Sequence, residues 1–185
     1  YLILHWVRPL KEGIAILRKA YQLGLDAGDF IYAGHCVAAM SMGRIVNGDN
    51  IDEILTDHSR FKDFVENAKD PAIAAEYAET YQALLNLKGL TESPFNLNSQ
   101  GFDQEERLAA IREHGSMMNI FFRLLIMERI YYFYGDYEAA YRQGFELDTM
   151  LDAPKGAYHL AEHLFYRCLS LLAVYPGKAP AEQKR

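Results

Sequence analysis

The chain has 185 residues, half of them hydrophobic, and its 19 Lys and Arg against 25 Asp and Glu give a formal net charge of −6. This length and apolar content are sufficient for one sizeable core and do not require a second domain. The scattered basic residues exclude a general affinity for nucleic acid, which needs clustered Lys and Arg. The most apolar window, 117–134, contains three charged residues, which excludes a membrane span.

Two cysteines, Cys36 and Cys168, lie in amphipathic apolar contexts. Such residues are more often buried reduced thiols than members of a disulfide, so we expect a reducing, cytoplasmic compartment. The chain begins at Tyr1 within an apolar run and shows no initiator methionine or signal-peptide pattern. We therefore expect it to be a piece of a longer protein.

Apolar residues recur at steps of three and four along most of the chain, which is the period of an amphipathic helix. No window shows the alternation of a β-strand. Residues 1–6 are predicted to end a preceding helix, 90–102 to form an irregular loop and 176–185 to form a polar tail. Full helices are predicted at 9–27, 30–46, 51–68, 71–88, 103–114, 117–134, 137–151 and 156–174.

One pattern occurs at two of the predicted helix ends. A glycine, an aspartate, an aromatic residue and an alanine follow in the same order from Gly28 to Ala33 and from Gly135 to Ala140. Glycine can end a helix in the left-handed conformation, and aspartate can cap the next helix. Each pattern therefore predicts a tight corner between antiparallel helices.

These features predict an all-α fold of about eight helices in stacked antiparallel hairpins, as a single domain over 1–185. In the tetratricopeptide repeat a Gly-Asp-Tyr-x-x-Ala corner joins two helices, and Gly135, Asp136, Tyr137 and Ala140 match it. The later proline and alanine of that repeat are displaced or absent. The resemblance therefore implies an irregular tetratricopeptide-like superhelix without consensus repeats.

A narrower resemblance rests on four longer phrases: HWVRPLKEGIAILRKAYQLGLDAGDFIYAGHC, LLNLKGLTESPF, FYGDYEAAYR and AEHLFYRCLSLLAVYP. They resemble the helical-repeat segment of very large bacterial signalling proteins. There the segment follows a predicted ATPase domain and precedes GAF and histidine-kinase domains, often with a serine/threonine-kinase-like domain in front. This implies a non-enzymatic connecting or sensing module whose partners are flanking domains of the same polypeptide. It assigns no catalytic residue and no cofactor, and the alternative is a free-standing peptide- or protein-binding scaffold.

Thirteen tyrosines exceed what a helical core needs, because each hydroxyl requires a partner or water. Several of them cluster around the central corner. They predict either packing between hairpins or a concave groove that holds a peptide or small effector. The residues predicted to contact a ligand in such a groove are Arg123, Tyr131, Tyr134, Tyr137, Tyr141 and Arg142.

The last helix carries the sequence His159-Leu160-Ala161-Glu162-His163. It fits the H-x-x-E-H pattern of inverted zinc peptidases, in which the histidines bind zinc and the glutamate acts as a base. The downstream third ligand would have to be Glu182. Because such short patterns arise by chance, a zinc hydrolase is the remote alternative to solvated or groove-facing histidines.

The same helix has a predicted orientation. We expect an inward face made of small and apolar residues: Ala157, Leu160, Ala161, Leu164, Cys168, Leu171 and Leu172. The polar residues are expected on the other side: His159, Glu162, His163, Arg167 and Ser170. A soluble helix normally presents its apolar stripe to the core, which is the basis of this assignment.

Overall fold

The structure is a computed structural model that describes residues 4–68, 70–114 and 116–177. Within these residues the predicted all-α class is confirmed, with eight α-helices and an isolated bridge between Ser99 and Phe102 in place of strands. In the same part of the chain no helix has the length and apolar character to cross a membrane. The helices are α1 Leu10–Ala27, α2 Phe30–Asn47, α3 Ile51–Asn67, α4 Pro71–Leu87, α5 Gln104–His114, α6 Met117–Phe133, α7 Tyr137–Asp148 and α8 Tyr158–Val174.

Both ends of the described chain are short 3-10 turns, Leu4–Trp6 and Tyr175–Gly177. Part of the predicted preceding helix, residues 1–3, and most of the predicted tail, residues 178–185, lie outside the described residues. The contacts of the chain separate into two compact units, Tyr1–Leu85 and Asn86–Arg185. The first unit contains α1, α2, α3 and most of α4, and the second contains α5 to α8.

The two predicted corners have the same geometry. Gly28 and Gly135 are left-handed, with φ of 74° and 82°. The N–H groups of Asp29 and Asp136 donate to the carbonyl five residues earlier, at 2.8 and 2.9 Å. Each carboxylate accepts the N–H of the residue three positions later at 3.0 Å. Both corners are therefore helix ends of the Schellman type followed at once by an aspartate cap, as predicted.

Helix α2 forms the centre of the first unit. Most of its small residues are buried, and it packs against α1 and α3. At the corner the backbones of α1 and α2 approach so closely that a Cβ added to Gly24 would lie 3.1 Å from the Cβ of Ala33. The core around α2 contains Leu17, Cys36, Val37, Ala38, Met40, Val65, Ile73 and Tyr77.

Helix α6 has the corresponding place in the second unit, where it contacts α5, α7 and α8. Every residue from 123 to 130 is buried, so this helix is covered on most sides. Its Phe121, Leu124 and Leu125 build a core with Leu147 of α7 and with Met150, which follows the end of α7. The same buried stretch brings Arg123, Glu128 and Arg129 into the interior, where each charge needs a partner.

Candidate functional site

Helix α8 faces the interior in the opposite sense to the prediction. Leu164, Cys168, Leu171 and Leu172 were expected inside and are exposed. Of the expected inner residues, Ala157 is buried and Leu160 is partly buried. Three residues that were expected on the outer side are buried: His159, His163 and Ser170. The predicted orientation was wrong because polar partners on α6 and α7 make the interior favourable for the polar side of α8.

Those partners form a charge cluster of Glu128, Asp148, His163 and Arg167. His163 Nδ1 lies 2.9 Å from Glu128 Oε2, and His163 Nε2 lies 3.1 Å from Asp148 Oδ1. Arg167 Nε donates to Asp148 Oδ2 at 3.0 Å. Because Glu128 comes from α6 and Asp148 ends α7, these contacts join three helices of the second unit.

The cluster is arranged for a protonated histidine. An ionised carboxylate only accepts hydrogen bonds, and both ring nitrogens of His163 face carboxylates, so the imidazolium can donate to both. Burial opposes its charge, but the hydrogen bonds and charges of Glu128 and Asp148 outweigh burial and raise the pKa of His163. Burial also raises the pKa of Glu128, against the opposing effects of His163 and Arg167. Two carboxylates, one imidazolium and one guanidinium give the cluster no net charge.

Arg167 is held by aromatic rings as well as by Asp148. Its guanidinium carbon lies 4.6 Å from the ring centre of Tyr141 and 4.2 Å from that of Phe145, which are cation–π distances. Gly144 makes room for this arrangement. A Cβ at Gly144 would collide with Arg167 Cδ and lie 2.9 Å from Glu128 Oε1.

A second buried ion pair lies beside the cluster. Arg129 Nη1 is 2.9 Å from Glu162 Oε1, and both side chains are almost fully buried. An acid followed by a base on α6, Glu128 and Arg129, therefore meets an acid followed by a base on α8, Glu162 and His163. The pairs are crossed, so that each acid binds the base of the other helix. Two neighbouring pairs of this kind determine which side of α8 faces α6.

The three polar residues of the H-x-x-E-H pattern have different neighbours. His159 packs against the rings of Tyr158 and Phe122, at 3.9 and 4.5 Å between ring centres. Glu162 binds Arg129, and His163 lies between two carboxylates. Both histidines are buried, so the expectation of solvated or groove-facing histidines was wrong. Glu182 lies outside the described residues, and the described ranges contain no group of three His, Cys, Asp or Glu suited to a metal ion.

Four of the residues predicted to contact a ligand belong to the surface or the periphery of the second unit. Tyr134 donates from its hydroxyl to the carbonyl of Asn86 at 2.7 Å. Tyr137 packs against Tyr132, with ring centres 5.4 Å apart. Tyr131 is half-buried and Arg142 is exposed.

The other two predicted contacts, Arg123 and Tyr141, lie deeper. Arg123 is buried and donates from Nη2 to Gln104 Oε1 at 3.2 Å. Tyr141 stacks with Arg167 and so belongs to the surroundings of the charge cluster. The six residues therefore have several different environments, and their contact with a ligand stays a prediction.

The inverted orientation leaves α8 with an apolar outer face, which we call the α8 outer face and define by Leu164, Phe165, Cys168, Leu171 and Leu172. These residues recur at helical spacing on one side. Phe165 and Leu172 are 57% and 68% exposed. Sequence reasoning missed this surface because it assigned most of these residues to the core. The available signal was that Glu128-Arg129 and Glu162-His163 are each an acid followed by a base within an otherwise apolar stretch.

Comparison of the chain with protein-family models, with curated proteins and with solved structures finds no match.

Proposed function

We propose that this chain is a non-enzymatic interaction and sensing module of a large cytoplasmic signal-transduction ATPase or kinase of bacterial type. It links an ATPase domain to output domains of the same polypeptide. The observation that carries the proposal is the apolar α8 outer face. The resemblance of the four sequence phrases to the helical segment of such proteins supports the same function.

The α8 outer face is an unusual surface for a helix to expose. Contiguous exposed apolar patches are uncommon on soluble proteins and mark interaction sites. Covering such residues is favourable by about 25 cal/mol for each Å² removed from water. The outer face cannot turn inward to gain this energy, because Glu162 and His163 are bound to α6 on the opposite side.

Stacked helical hairpins bury apolar faces of this kind against the next structural unit. We infer that a flanking domain of the same polypeptide covers the α8 outer face. Movement of that domain would act on α8, and through His163 and Arg167 on α6 and α7. The buried charges make these three helices respond together, because shifting α8 alone would separate ion pairs in a low-dielectric interior.

The proposal is tested in the full-length protein with the double substitution Phe165→Glu and Leu172→Glu. Both side chains are exposed, so we expect the helical circular dichroism and the unfolding midpoint to stay unchanged. Regulation of the flanking ATPase or kinase activity should be lost or strongly altered. Leu90→Glu is the matched control, because Leu90 is 60% exposed in the loop after α4 and lies outside the α8 outer face.

Unchanged regulation in the double variant would show that the α8 outer face is not a contact with a regulated domain. Deletion of the whole segment tests the broader claim. If the flanking activity responds to its signals as before after the deletion, the proposed linking function is wrong.

A further inference from the structure

The first unit contains a cavity of about 830 Å³ between α1, α2 and α3. Its apolar lining includes Ile14 of α1, Val37 and Met40 of α2, and Phe61 of α3. Tyr21 also lines the cavity, and its ring contacts that of Phe61 edge to face at 5.2 Å. Cavities that bind ligands commonly have volumes of about 300–1,000 Å³ and a mainly apolar lining, so this one is of suitable size and character.

Basic residues surround this apolar lining. The cavity is lined by the cations Lys11, Arg18, Lys19, Arg44 and Arg60, with Asp57 as the acidic residue. We call this surface the basic groove and define it by the cations together with the apolar lining. Its formal charge is opposite in sign to the net charge of the chain.

Two of the five cations are already bound by carboxylates. Arg44 lies 2.7 Å from Asp49 and 2.6 Å from Asp57, and Arg60 lies 3.4 Å from Asp57. Asp57 is therefore held between two arginines and adds little negative potential to the groove. Because Arg44 and Arg60 are bound to carboxylates, the cations on α1 are the ones available to a ligand.

The cations on α1 are Lys11, Arg18 and Lys19. All three are exposed, and within the described ranges 4–68, 70–114 and 116–177 they have no ion-pair partner. Lys11 and Arg18 are seven residues apart on the helix, which corresponds to about 10 Å at about 1.5 Å per residue. Ile14 lies between them on the same side of α1 and lines the cavity.

This spacing argues for an extended ligand. Cations about 10 Å apart cannot all contact one phosphate or carboxylate group, whereas an extended peptide spans about 13 Å in four residues at about 3.3 Å each and presents alternate side chains on one face. Carboxylate side chains four positions apart on that face can each bind one of the long cationic side chains, and arginine binds carboxylates in a bidentate manner. An apolar side chain between them would meet the apolar lining.

We propose that the basic groove binds an acidic peptide segment in extended conformation. Two acidic side chains four positions apart bind Lys11 and Arg18, and the apolar side chain midway between them, on the same face of the segment, enters the cavity toward Val37 and Met40. The apolar contact gives the site selectivity, while the cations orient the segment and accelerate its association. This site belongs to the first unit and does not depend on the α8 outer face.

The test uses the complete chain and a fluorescein-labelled peptide, Gly-Asp-Glu-Leu-Asp-Glu-Gly, with blocked termini. Fluorescence polarisation should show saturable binding that weakens as salt is added, because exposed charges are screened. A second peptide with serine in place of leucine should bind about tenfold more weakly, since it lacks the apolar contact. This comparison changes the probe only, so it does not depend on the folding of a variant.

The protein is changed by the double substitution Lys11→Glu and Arg18→Glu. We expect the affinity for the leucine peptide to fall about tenfold or more, because two attractive charges become repulsive. Both residues are exposed, so the fold should be retained. Lys155→Glu, at an exposed lysine of the second unit, is the control for charge alone and should bind as the unchanged chain does.

Four results would each overturn the proposal. The first is an absence of saturable binding to the leucine peptide. The second is equal binding of the leucine and serine peptides, and the third is displacement of the leucine peptide by inorganic triphosphate at an equal concentration; either would show recognition of negative charge alone. The fourth is an equal effect of Lys155→Glu, which would show that binding follows net charge and not the basic groove.

Discussion

His163 Nδ1 and Glu128 Oε2 lie 2.9 Å apart, and neither side chain is exposed to solvent. The two residues are 35 positions apart in the sequence and join α8 to α6. Replacing a whole buried ion pair by apolar groups is often harmless, whereas removing one partner leaves an uncompensated charge in the interior. The pair therefore makes α8 sensitive to any single change of charge in the cluster.

The first prediction concerns Glu128→Gln, which keeps the shape of the side chain and removes its charge. It should lower the free energy of unfolding by about 3–5 kcal/mol, because His163 loses the fully buried one of its two carboxylate partners. Urea denaturation measures this effect. Asp152→Asn, at an exposed carboxylate paired with Lys155, should cost less than about 1 kcal/mol. Equal losses for the two variants would show that the pair has no special role.

The second prediction is the pH dependence caused by His163, which faces Glu128 and Asp148, with Arg167 bound to the same Asp148. The pKa of His163 is raised in the folded state. Its contribution to stability is fully present below the unfolded pKa of about 6.5 and is lost as pH rises through the folded pKa. Imidazole NMR titration should give a value above about 6.5 for the signal that disappears in His163→Gln. A value below that would contradict the ion pair.

The third prediction concerns His58 in the first unit, whose pKa is lowered, in contrast to that of His163. Its ring stacks on that of Tyr77 at 3.4 Å, its Nε2 donates to the carbonyl of Tyr77 at 3.0 Å, and the Tyr77 hydroxyl donates to the carbonyl of His58 at 2.8 Å. Burial lowers the pKa of His58 to about 4, although the bond to the Tyr77 carbonyl opposes this shift.

The unfolded chain binds a proton at His58 more readily than the folded chain does. The contribution of neutral His58 to stability is therefore fully present above about pH 6.5 and is lost as pH falls from there toward about 4. The full loss is on the order of 3 kcal/mol, at about 1.4 kcal/mol for each pKa unit. Denaturation at a series of acidic pH values should show this decline, and His58→Gln should flatten it. A decline of the same steepness in the variant would assign it to other groups.

The fourth prediction compares two glycine substitutions within helices. Gly144→Ala should lower stability by about 1–3 kcal/mol, because its Cβ collides with Arg167 in a packed interior. Gly34→Ala should raise stability by up to about 1 kcal/mol, since its Cβ meets Ala68 and Ile73 at ordinary contact distances of 3.5 and 3.7 Å and alanine favours the helix. Thermal unfolding of both variants decides the point. A stabilised Gly144→Ala protein would exclude the tight packing around Arg167.

The fifth prediction uses the two thiols. Cys168 is exposed on the α8 outer face, whereas Cys36 is buried and has a pKa raised by burial. An aromatic disulfide reagent should react quickly with Cys168, which it can reach, and with Cys36 only after unfolding, because Cys36 is buried. Cys168→Ser should remove the fast phase. Slow labelling of Cys168 in the isolated native chain would contradict the orientation of α8.

The same reaction reports on the proposed function in the full-length protein. A flanking domain that covers the α8 outer face should slow the labelling of Cys168, and Phe165→Glu with Leu172→Glu should restore the fast rate. Equal rates in the isolated chain and in the full-length protein would show that the face remains uncovered.

Local features of this fold were predictable because their causes lie within a few residues. Gly28 and Gly135 each end one helix, and the aspartate that follows each glycine caps the next helix. Both corners have the expected hydrogen bonds. The inward face of α3 follows from helical spacing, because its buried residues Ile54, His58 and Val65 recur at steps of four and seven. Asn50 caps α3 by accepting the N–H of Asp52 at 2.9 Å.

The organisation of the loop predicted at 90–102 could not be predicted from the residues of the loop. Its irregular character was evident from the sequence, but its organisation depends on Asn86, which is buried just before it. The Nδ2 of Asn86 lies 3.0 Å from Thr91 Oγ1 and 2.8 Å from the carbonyl of Asn96. A side chain at the end of α4 thus orders the loop that follows.

The orientation of α8 was decided by tertiary contacts. A hydrophobic pattern ranks each side chain by its own transfer energy, and by that measure Leu164 and Leu172 belong inside and His163 outside. The charges of Glu128 and Asp148 reverse this order, because an interior that already contains carboxylates favours a cationic partner over an apolar one. The sequence by itself determined the helices and their corners, whereas the long-range pairing of charges determined which face of α8 meets the solvent.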